Sequence, residues 1–191
     1  MAIATAKKIE TPEAWTVNNS RISLKNIKYF EGGSEETFCF VATVYFDGKR
    51  VGEARNDGHG GPSCGCIDKA FRDEYYGYIS SLPQRVSNVA WQDEPFIYDE
   101  SEDSILTDLV ADFVFRQDLK KLLRTRFIYT MKNKKGVFQT KAYKPIQMKS
   151  FLNHGEDKLI SHMGSDIDRI LNCMDFEDAL KIFQAIRQKR Y

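Results

Sequence analysis

Several features that mark large classes of proteins are absent from this sequence or scarce in it. No apolar run approaches the roughly 20 residues that a helix needs to cross a bilayer, and the first 15 residues lack the apolar segment of a secretory signal. The four cysteines are too few for the disulfide framework of a small secreted protein; they are Cys39, Cys64, Cys66 and Cys173. The sequence therefore predicts a cytoplasmic protein with free thiols and no membrane contact.

Motifs that indicate catalysis or cofactor binding are also missing. The chain has only three histidines, and it contains no G-x-x-x-x-G-K-[ST], G-x-G-x-x-G or G-x-S-x-G pattern. Its formal net charge is +1, so the whole molecule has no strong field that would attract nucleic acid or an anionic membrane. We predict no cofactor and no catalytic residue, and we consider a binding protein more plausible than an enzyme.

The chain has enough residues and apolar content for a well-buried domain, with 191 residues of which 42% are hydrophobic. We predict an α+β fold: an antiparallel sheet with a packed helix, a second small hairpin and a helical C-terminal region. Residues 1–20 are predicted to form a loose N-terminal arm, residues 21–145 an α+β core domain, and residues 146–191 a helical C-terminal region packed on the core.

The first half of the chain has the pattern of a hairpin followed by a helix. Residues 21–29 and 38–46 are predicted strands, and the apolar run of the second predicts that both of its faces are covered. Asp47-Gly48 is a strong hairpin signal that leads into a strand over residues 49–55. A helical stripe then runs from Ile67 to Leu82. Residues 84–103 are interpreted as a connection whose acidic side chains are solvated.

The second half is predicted to be mostly helical. Ser104 is placed as the cap of a long helix, and a hairpin with a basic tip follows at residues 133–136. Beyond Pro145 we predict several helices, including one over residues 159–171 and a last one whose cap is Asp175.

The segment from residue 56 to residue 66 contains most of the side chains that could react or bind a ligand. Its glycines permit positive φ and a close approach of the backbone to a ligand, and Asp57 and His59 can ionise or form hydrogen bonds. The predicted ligand-binding or partner-binding residues are Asn56, Asp57, Gly58, His59, Gly60, Gly61 and Ser63.

Four interpretations of this glycine-rich loop remain open. Its backbone N–H groups could form an anion nest that holds a phosphate group. Asp57, His59, Cys64 and Cys66 could bind a metal, although their spacing is poor for zinc and no second cysteine pair follows. His59 or Cys64 could act in catalysis. The glycines could also serve only to shape a turn, which is the simplest interpretation.

A local basic face is a second candidate site. Arg116, Lys120, Lys121 and Arg124 fall in one predicted helix, and Lys134 and Lys135 lie at the tip of the predicted second hairpin. If the helix and the hairpin are neighbours, these side chains could hold phosphate groups of nucleic acid or an acidic protein. A solvated basic surface is the simpler explanation.

Three short motifs resemble those of a family of small, mostly uncharacterised proteins of bacteriophages and prophages. They are residues 34–38 (SEETF), 47–49 (DGK) and 56–61 (NDGHGG), and the resemblance is best over residues 21–82. Residues 170–172 and 177–180 are similar to the end of the family's sequences. The resemblance carries no established catalytic residues.

What the resemblance implies is a phage protein that works in the host cytoplasm. Small phage proteins of this kind often inhibit host defence, as anti-CRISPR proteins do, by binding a nuclease, a regulatory protein or a nucleotide signal. We therefore expect a non-enzymatic inhibitor that binds a defence protein or a nucleotide signal. The alternatives are a nucleotide-handling enzyme that uses Asp57 and His59, and a phage protein associated with DNA. A homodimer is a further possibility, because it is the commonest assembly.

Overall fold

The computed structural model describes residues 16–91 and 94–187, and it confirms the predicted α+β class. The chain divides into two compact units, Met1–Asp112 and Phe113–Tyr191. The predicted domain boundaries at residues 20 and 145 stay predictions, and the first 15 residues of the predicted N-terminal arm lie outside the described residues.

The first unit is built on a four-stranded antiparallel sheet with the order β1-β2-β3-β4. Its strands are β1 (Ile22–Tyr29), β2 (Phe40–Phe46), β3 (Lys49–Asn56) and β4 (Cys64–Ile67). The predicted turn between β2 and β3 is confirmed, since Asp47 and Gly48 have φ of 48° and 75°. Alternate residues of β2, from Phe40 to Phe46, point into the core.

The sheet has one open face, contrary to the prediction that β2 is covered on both faces. Val41, on the side of β2 away from the core, is 43% exposed. Its β-branched neighbour Thr43 and the aromatic Tyr45 fit a pleated surface well, so apolar character here reflects strand formation and not burial on both sides.

Strand β4 lies where the helical stripe was predicted to begin. Ile67 is buried as the last residue of β4, and helix α1 (Arg72–Ser80) starts after a short 3-10 turn, with Tyr75 and Ile79 facing the core. The strand forms because β3 can approach it closely: a Cβ on Gly52 would lie 2.2 Å from the carbonyl oxygen of Cys66. This pairing depends on residues distant in sequence, so periodicity alone could not reveal it.

The predicted connection at residues 84–103 is instead largely a hairpin of β5 (Arg85–Trp91) and β6 (Glu94–Tyr98). Its acids are not simply solvated, because the Glu100 side chain is only 2% exposed and forms an ion pair with Arg85 at 2.7 Å. Arg85 also pairs with Asp108. The partly buried Arg85 guanidinium gives these carboxylates a partner in place of water.

Helix α2 (Glu102–Leu123) begins two residues before the predicted cap. The hydroxyl of Ser101 accepts a hydrogen bond from the N–H of Ser104 (3.1 Å), and the hydroxyl of Ser104 accepts one from the N–H of Ser101 (2.9 Å). Ser101 is therefore the residue in the capping position, and Ser104 completes the reciprocal pair.

The second unit contains a three-stranded sheet with the order β8-β7-β9, made of β7 (Ile128–Met131), β8 (Lys134–Gln139) and β9 (Ile167–Ile170). Its helices are α3 (Pro145–Leu152), α4 (Glu156–Met163) and α5 (Phe176–Arg187). The predicted helix over residues 159–171 is wrong in its second half, which forms β9. The predicted cap of α5 is confirmed, since Asp175 accepts the N–H of Glu177 at 2.8 Å.

A compact core supports this second sheet. Its buried members are Phe127, Met148, Leu159, Ile167 and Ile170. Within the described ranges, the structure contains no helix that is both long and apolar enough to span a bilayer.

Candidate functional site

Asn56 organises the glycine-rich loop from its position at the end of β3. Its side-chain oxygen accepts hydrogen bonds from the N–H of Gly58 (2.8 Å) and the hydroxyl of Thr37 (3.0 Å). Its side-chain nitrogen donates to the carbonyl oxygen of Gly61 (2.9 Å) and to the Ser63 hydroxyl (3.3 Å). Because the residue is buried, these contacts satisfy a group that would otherwise destabilise the fold. Asn56 is therefore a structural centre of the loop.

Gly58 is fixed against the segment that precedes β2. Its carbonyl oxygen accepts backbone hydrogen bonds from Glu35, Glu36 and Thr37, at 3.1, 3.0 and 3.3 Å. Its φ is +89°, and a Cβ at this position would lie 1.9 Å from the carbonyl oxygen of Gly33. Both the backbone angle and the close approach require glycine here. The motif residues at 34–38 and 56–61 thus form one hydrogen-bonded substructure.

Two acidic side chains at the start of α2 accept hydrogen bonds from backbone N–H groups of the loop and of the edge strand. The N–H of Ser63 donates to Asp103 at 2.6 Å, and the N–H of Gly65 donates to Glu102 at 3.1 Å. The Ser63 hydroxyl also lies 3.0 Å from that of Thr107. These contacts cover the outer edge of β4, which would otherwise present unpaired backbone groups.

The anion-nest interpretation needs N–H groups that point toward a ligand. Beyond the pairs just described, the N–H of His59 donates to the Asp57 carboxylate and that of Gly60 to the Thr37 hydroxyl, both at 3.3 Å. Each of these donors is already directed at an oxygen of the chain. The loop geometry therefore favours a braced turn over a phosphate-binding nest.

His59 is an exposed ionisable group of the loop. Its imidazole is 60% exposed, and its Nδ1 lies 3.4 Å from the carboxylate of Glu35, which is 69% exposed. Asp57 is exposed as well, while Gly61 has open space where a Cβ would be placed. The predicted ligand-contacting set stays a prediction; the structure divides it into buried Asn56, Gly58 and Ser63, partly buried Gly61, and exposed Asp57, His59 and Gly60.

A groove of about 900 Å³ lies on the open face of the first sheet, beside this loop. Cross-strand pairing places Lys28, Val41, Arg55 and Cys64 in one row and Thr43, Glu53 and Cys66 in the next. Side chains in such rows share one face of a sheet. Arg72 and Tyr76 of α1 also line this sheet-face groove.

An apolar recess of about 660 Å³ continues the sheet-face groove toward the loop, sharing Val41, Arg55 and Cys64 with it. Phe30, which is 51% exposed, and Pro62 contribute apolar surface to this recess. The recess is also lined by Asn56, Asp57 and Gly61. The glycine-rich loop therefore forms one border of a concave surface whose floor is the sheet.

The residues that line the sheet-face groove have a net positive charge. Among the described residues that line it, Lys28, Arg55 and Arg72 are cations and Glu53 is the single carboxylate. Glu53 forms an ion pair with Arg50, which lies outside the groove, at 3.3 Å. Within the described ranges, Lys28 and Arg55 form neither an ion pair nor a hydrogen bond through their side chains. Their charges are thus available to an anion.

Three neighbouring ionisable groups beside β4 have raised pKa values: partly buried Glu102, buried Tyr75 and exposed Tyr76. Burial raises the pKa of Glu102, and the N–H of Gly65 opposes that shift. Burial, and then the nearby charge of Glu102, also raise the pKa of Tyr75 and of Tyr76. Tyr76 donates a hydrogen bond to Glu102 at 3.4 Å. These tyrosines stay neutral at physiological pH, so they add hydrogen-bonding capacity without negative charge.

The metal interpretation receives no geometric support. Within the part of the chain that the structure describes, no three of the His, Cys, Asp and Glu side chains come together as a metal would require. Cys64 and Cys66 are exposed and line the sheet-face groove, whereas Cys173 is exposed in the second unit. The Cys64 and Cys66 thiols are therefore accessible to a reagent, and a molecule bound in the groove would shield them.

The predicted basic face lies in the second unit, and its members differ in their surroundings. Arg116 makes a two-bond pair with Glu177, at 2.6 and 2.9 Å. Lys120, Lys121 and Arg124 line a concavity together with Phe176, whereas Lys134 and Lys135 belong to β8. Whether this face binds a partner stays a prediction.

The cations of the sheet-face groove were missed by sequence reasoning. Lys28, Arg55 and Arg72 lie in three different elements, and no local motif connects them. One usable signal was the alternation of β3, which places Glu53 and Arg55 on the same outward face. The register that aligns Arg55 with Lys28 and Cys64 becomes visible only in the folded chain.

Comparison of the chain with protein-family models, with curated proteins and with solved structures yields no match.

Proposed function

We propose that this protein is a non-enzymatic binding protein whose sheet-face groove takes up a nucleotide, and that this occupancy inhibits a host defence system by removing its nucleotide signal. The phage setting rests on the resemblance described above. The choice of a nucleotide over a defence protein rests on the groove, which combines cations with adjoining apolar surface in a concave shape. A nucleotide offers the matching combination of phosphate groups and a flat base.

The observation that carries this proposal is the cross-strand row of Lys28, Val41, Arg55 and Cys64. It holds two cations that make no ion pair among the described residues, and an apolar side chain lies between them. Arg55 is shared by the charged groove and the apolar recess. A phosphate group near Lys28, Arg55 and Arg72 would leave the base directed to Phe30 and Pro62.

Occupancy is favoured over turnover because of the way the loop uses its ionisable groups. The Asp57 carboxylate accepts the backbone N–H of His59, and the His59 imidazole approaches Glu35. Neither His59 nor Glu35 lines the sheet-face groove or the apolar recess. In the enzymatic alternative, His59→Ala would abolish nucleotide turnover and preserve the fold. In the binding proposal, the same variant retains the wild-type affinity.

Thiol footprinting tests the proposal with reporters that the chain already contains. The folded protein is alkylated with iodoacetamide, with and without a panel of mononucleotides and cyclic dinucleotides, and the modification of each cysteine is followed by mass spectrometry. At a ligand concentration of about ten times the Kd, mass action leaves about a tenth of the molecules unoccupied. We therefore expect a bound nucleotide to slow alkylation of Cys64 and Cys66 about tenfold.

Cys173 is the internal control, since it is exposed in the second unit and does not line the groove. Its rate should be unchanged by the nucleotide. Equal rates at Cys64 and Cys66 with every member of the panel would contradict the proposal and direct the search to a protein target. In Arg55→Gln, a tenfold weaker affinity should reduce the protection at the same ligand concentration to about twofold, and undiminished protection would show that Arg55 does not contact the ligand.

A further inference from the structure

A second concave surface lies in the second unit, on the C-terminal half of α2. Its volume is about 540 Å³, and its lining consists of Gln117, Lys120, Lys121, Leu123, Arg124 and Phe176. The lining therefore contains three cations, an amide and an aromatic ring, without a carboxylate among its described members. This composition is separate from that of the sheet-face groove, and nothing in the proposed function uses it.

The polar members of this concavity lie on and just beyond the C-terminal end of α2 and form one basic stripe. Gln117, Lys120 and Lys121 follow the spacing i, i+3 and i+4 on one face of the helix, Arg124 is the first residue after it, and all four side chains are exposed.

The three cations of the stripe differ from the other basic residues around them. Arg116 is paired with Glu177 at 2.6 Å, and Lys181 is paired with Asp178 at 3.0 Å. Within the described ranges, Lys120, Lys121 and Arg124 form no such ion pair. The negative end of the helix dipole favours cations in this last turn, but it does not explain why they surround an aromatic side chain.

Phe176 gives the stripe an apolar platform. It is the first residue of α5 and is partly buried, and the Lys120 ammonium lies 5.3 Å from the centre of its ring. Proteins that bind single-stranded nucleic acid without sequence preference combine a basic track with aromatic rings on which bases stack. The same two components are present here within one concavity.

We infer that this surface binds single-stranded nucleic acid. Lys120, Lys121 and Arg124 contact consecutive phosphates, and a base stacks on Phe176. Gln117 extends the stripe by one helical turn and offers hydrogen bonds to the backbone of the strand.

Fluorescence anisotropy with a labelled 15-residue oligo(dT) tests this inference. The logarithm of affinity should fall with the logarithm of salt concentration between 50 and 200 mM, with a slope of about −2 for three phosphate contacts at about −0.7 each. In the triple variant Lys120→Ala, Lys121→Ala, Arg124→Ala, binding at 50 mM salt should be lost. Phe176→Leu, which keeps an apolar side chain, should weaken binding about tenfold while the salt slope stays the same.

The matched control is the double variant Lys134→Ala, Lys135→Ala, because these lysines lie in the same unit but do not line the concavity. It should bind as the wild type does. Circular dichroism of every variant separates a loss of binding from a loss of fold. The inference would be overturned if the folded wild type does not bind the oligonucleotide at 50 mM salt, if the folded triple variant binds normally, or if the control loses as much affinity as the triple variant.

Discussion

The glycine-rich loop and the sheet-face groove are neighbours in the first unit, and they use their polar groups in opposite ways. In the loop, the side chain of Asn56 and the carbonyl oxygen of Gly58 are each engaged by several groups of the chain itself. On the sheet, Lys28 and Arg55 have no side-chain partner among the described residues. Polar groups satisfied internally stabilise a fold, while those left unpaired on a concave surface are available to a ligand.

This difference teaches that the most distinctive stretch of a sequence need not be the part that contacts a ligand. The loop motif is distinctive because its backbone geometry tolerates few alternatives: Gly58 and Gly60 have φ of +89° and +84°. Lys28, Arg55 and Arg72 of the groove lie in three different elements and have no positive φ, so no local motif marks them in the sequence. The following predictions test whether the loop is a scaffold and the groove a site.

The largest effect is expected for Gly58→Ala. The new Cβ would approach the Gly33 carbonyl oxygen at 1.9 Å from a backbone with positive φ. Strain and overpacking together should lower the free energy of unfolding by about 3 kcal/mol or more. Urea denaturation measures this change. Gly61→Ala is the matched control, because open space surrounds that Cβ position; similar losses for the two variants would contradict the account of the loop.

A smaller loss is expected for Asn56→Ala. This change removes both the acceptor of the Gly58 N–H and the donor to the Gly61 carbonyl oxygen. Leaving such partners without hydrogen bonds inside the protein should cost about 2 kcal/mol of unfolding free energy. Asp57→Ala, at the exposed neighbouring position, should change stability by less than about 0.5 kcal/mol. If Asp57→Ala is the more destabilising change in thermal unfolding, Asn56 is not the centre of the loop.

On the groove, Arg55→Gln should weaken nucleotide binding without affecting the fold. The loss of one cation that faces a phosphate should reduce affinity about tenfold, or about 1.4 kcal/mol. Isothermal titration calorimetry measures the change. Lys49→Gln, on the same strand but outside the groove lining, should retain wild-type affinity. Equal losses in both variants would indicate a general electrostatic effect instead of a site.

The smallest effect concerns Glu102, which links the edge strand to α2. Burial raises its pKa in the folded state, so the folded protein holds this proton more tightly than the unfolded chain does. Its contribution to stability is therefore greatest below the unfolded pKa of about 4.3 and declines as pH rises through the folded value. Glu102→Gln keeps an acceptor for the Gly65 N–H without the charge, and it should be more stable than wild type at pH 7, by less than the effects above.

This advantage should shrink as the pH falls toward 4, because protonation removes the Glu102 charge from the wild-type protein. Urea denaturation at pH 4, 5, 6 and 7 measures the trend, with Glu53→Gln as the exposed control. A stability difference that is independent of pH would show that Glu102 acts through packing and not through its charge.

Local signals predicted the parts of the fold that local chemistry determines. Asp47-Gly48 forms the expected turn because both residues tolerate positive φ, and Asp175 caps α5 because its carboxylate reaches the N–H of Glu177. The strand β9 was missed because Ile167 and Ile170 are three residues apart, which matches a helical stripe equally well. Its pairing with β7 decides the outcome.

The candidate site was predictable only at its border. Of the predicted loop residues, Asn56, Asp57 and Gly61 line the apolar recess. Lys28 and Arg55 were not predicted, because they meet only through the register of β1, β2 and β3. Strand β4, which completes the groove, has two cysteines and a glycine in four residues and no strong strand propensity. Long-range pairing therefore creates both the floor and the edge of the groove.

The most direct test of the central claim, that the ligand lies on the sheet while the loop acts as scaffold, is an NMR titration of backbone amides with the same nucleotide panel. We predict that a binding nucleotide shifts the amides of Lys28, Val41, Arg55 and residues 64–67, and leaves those of Gly58 and of the second unit close to their free positions. Shifts confined to residues 57–61, with the strand rows unchanged, would contradict the account and return the site to the glycine-rich loop.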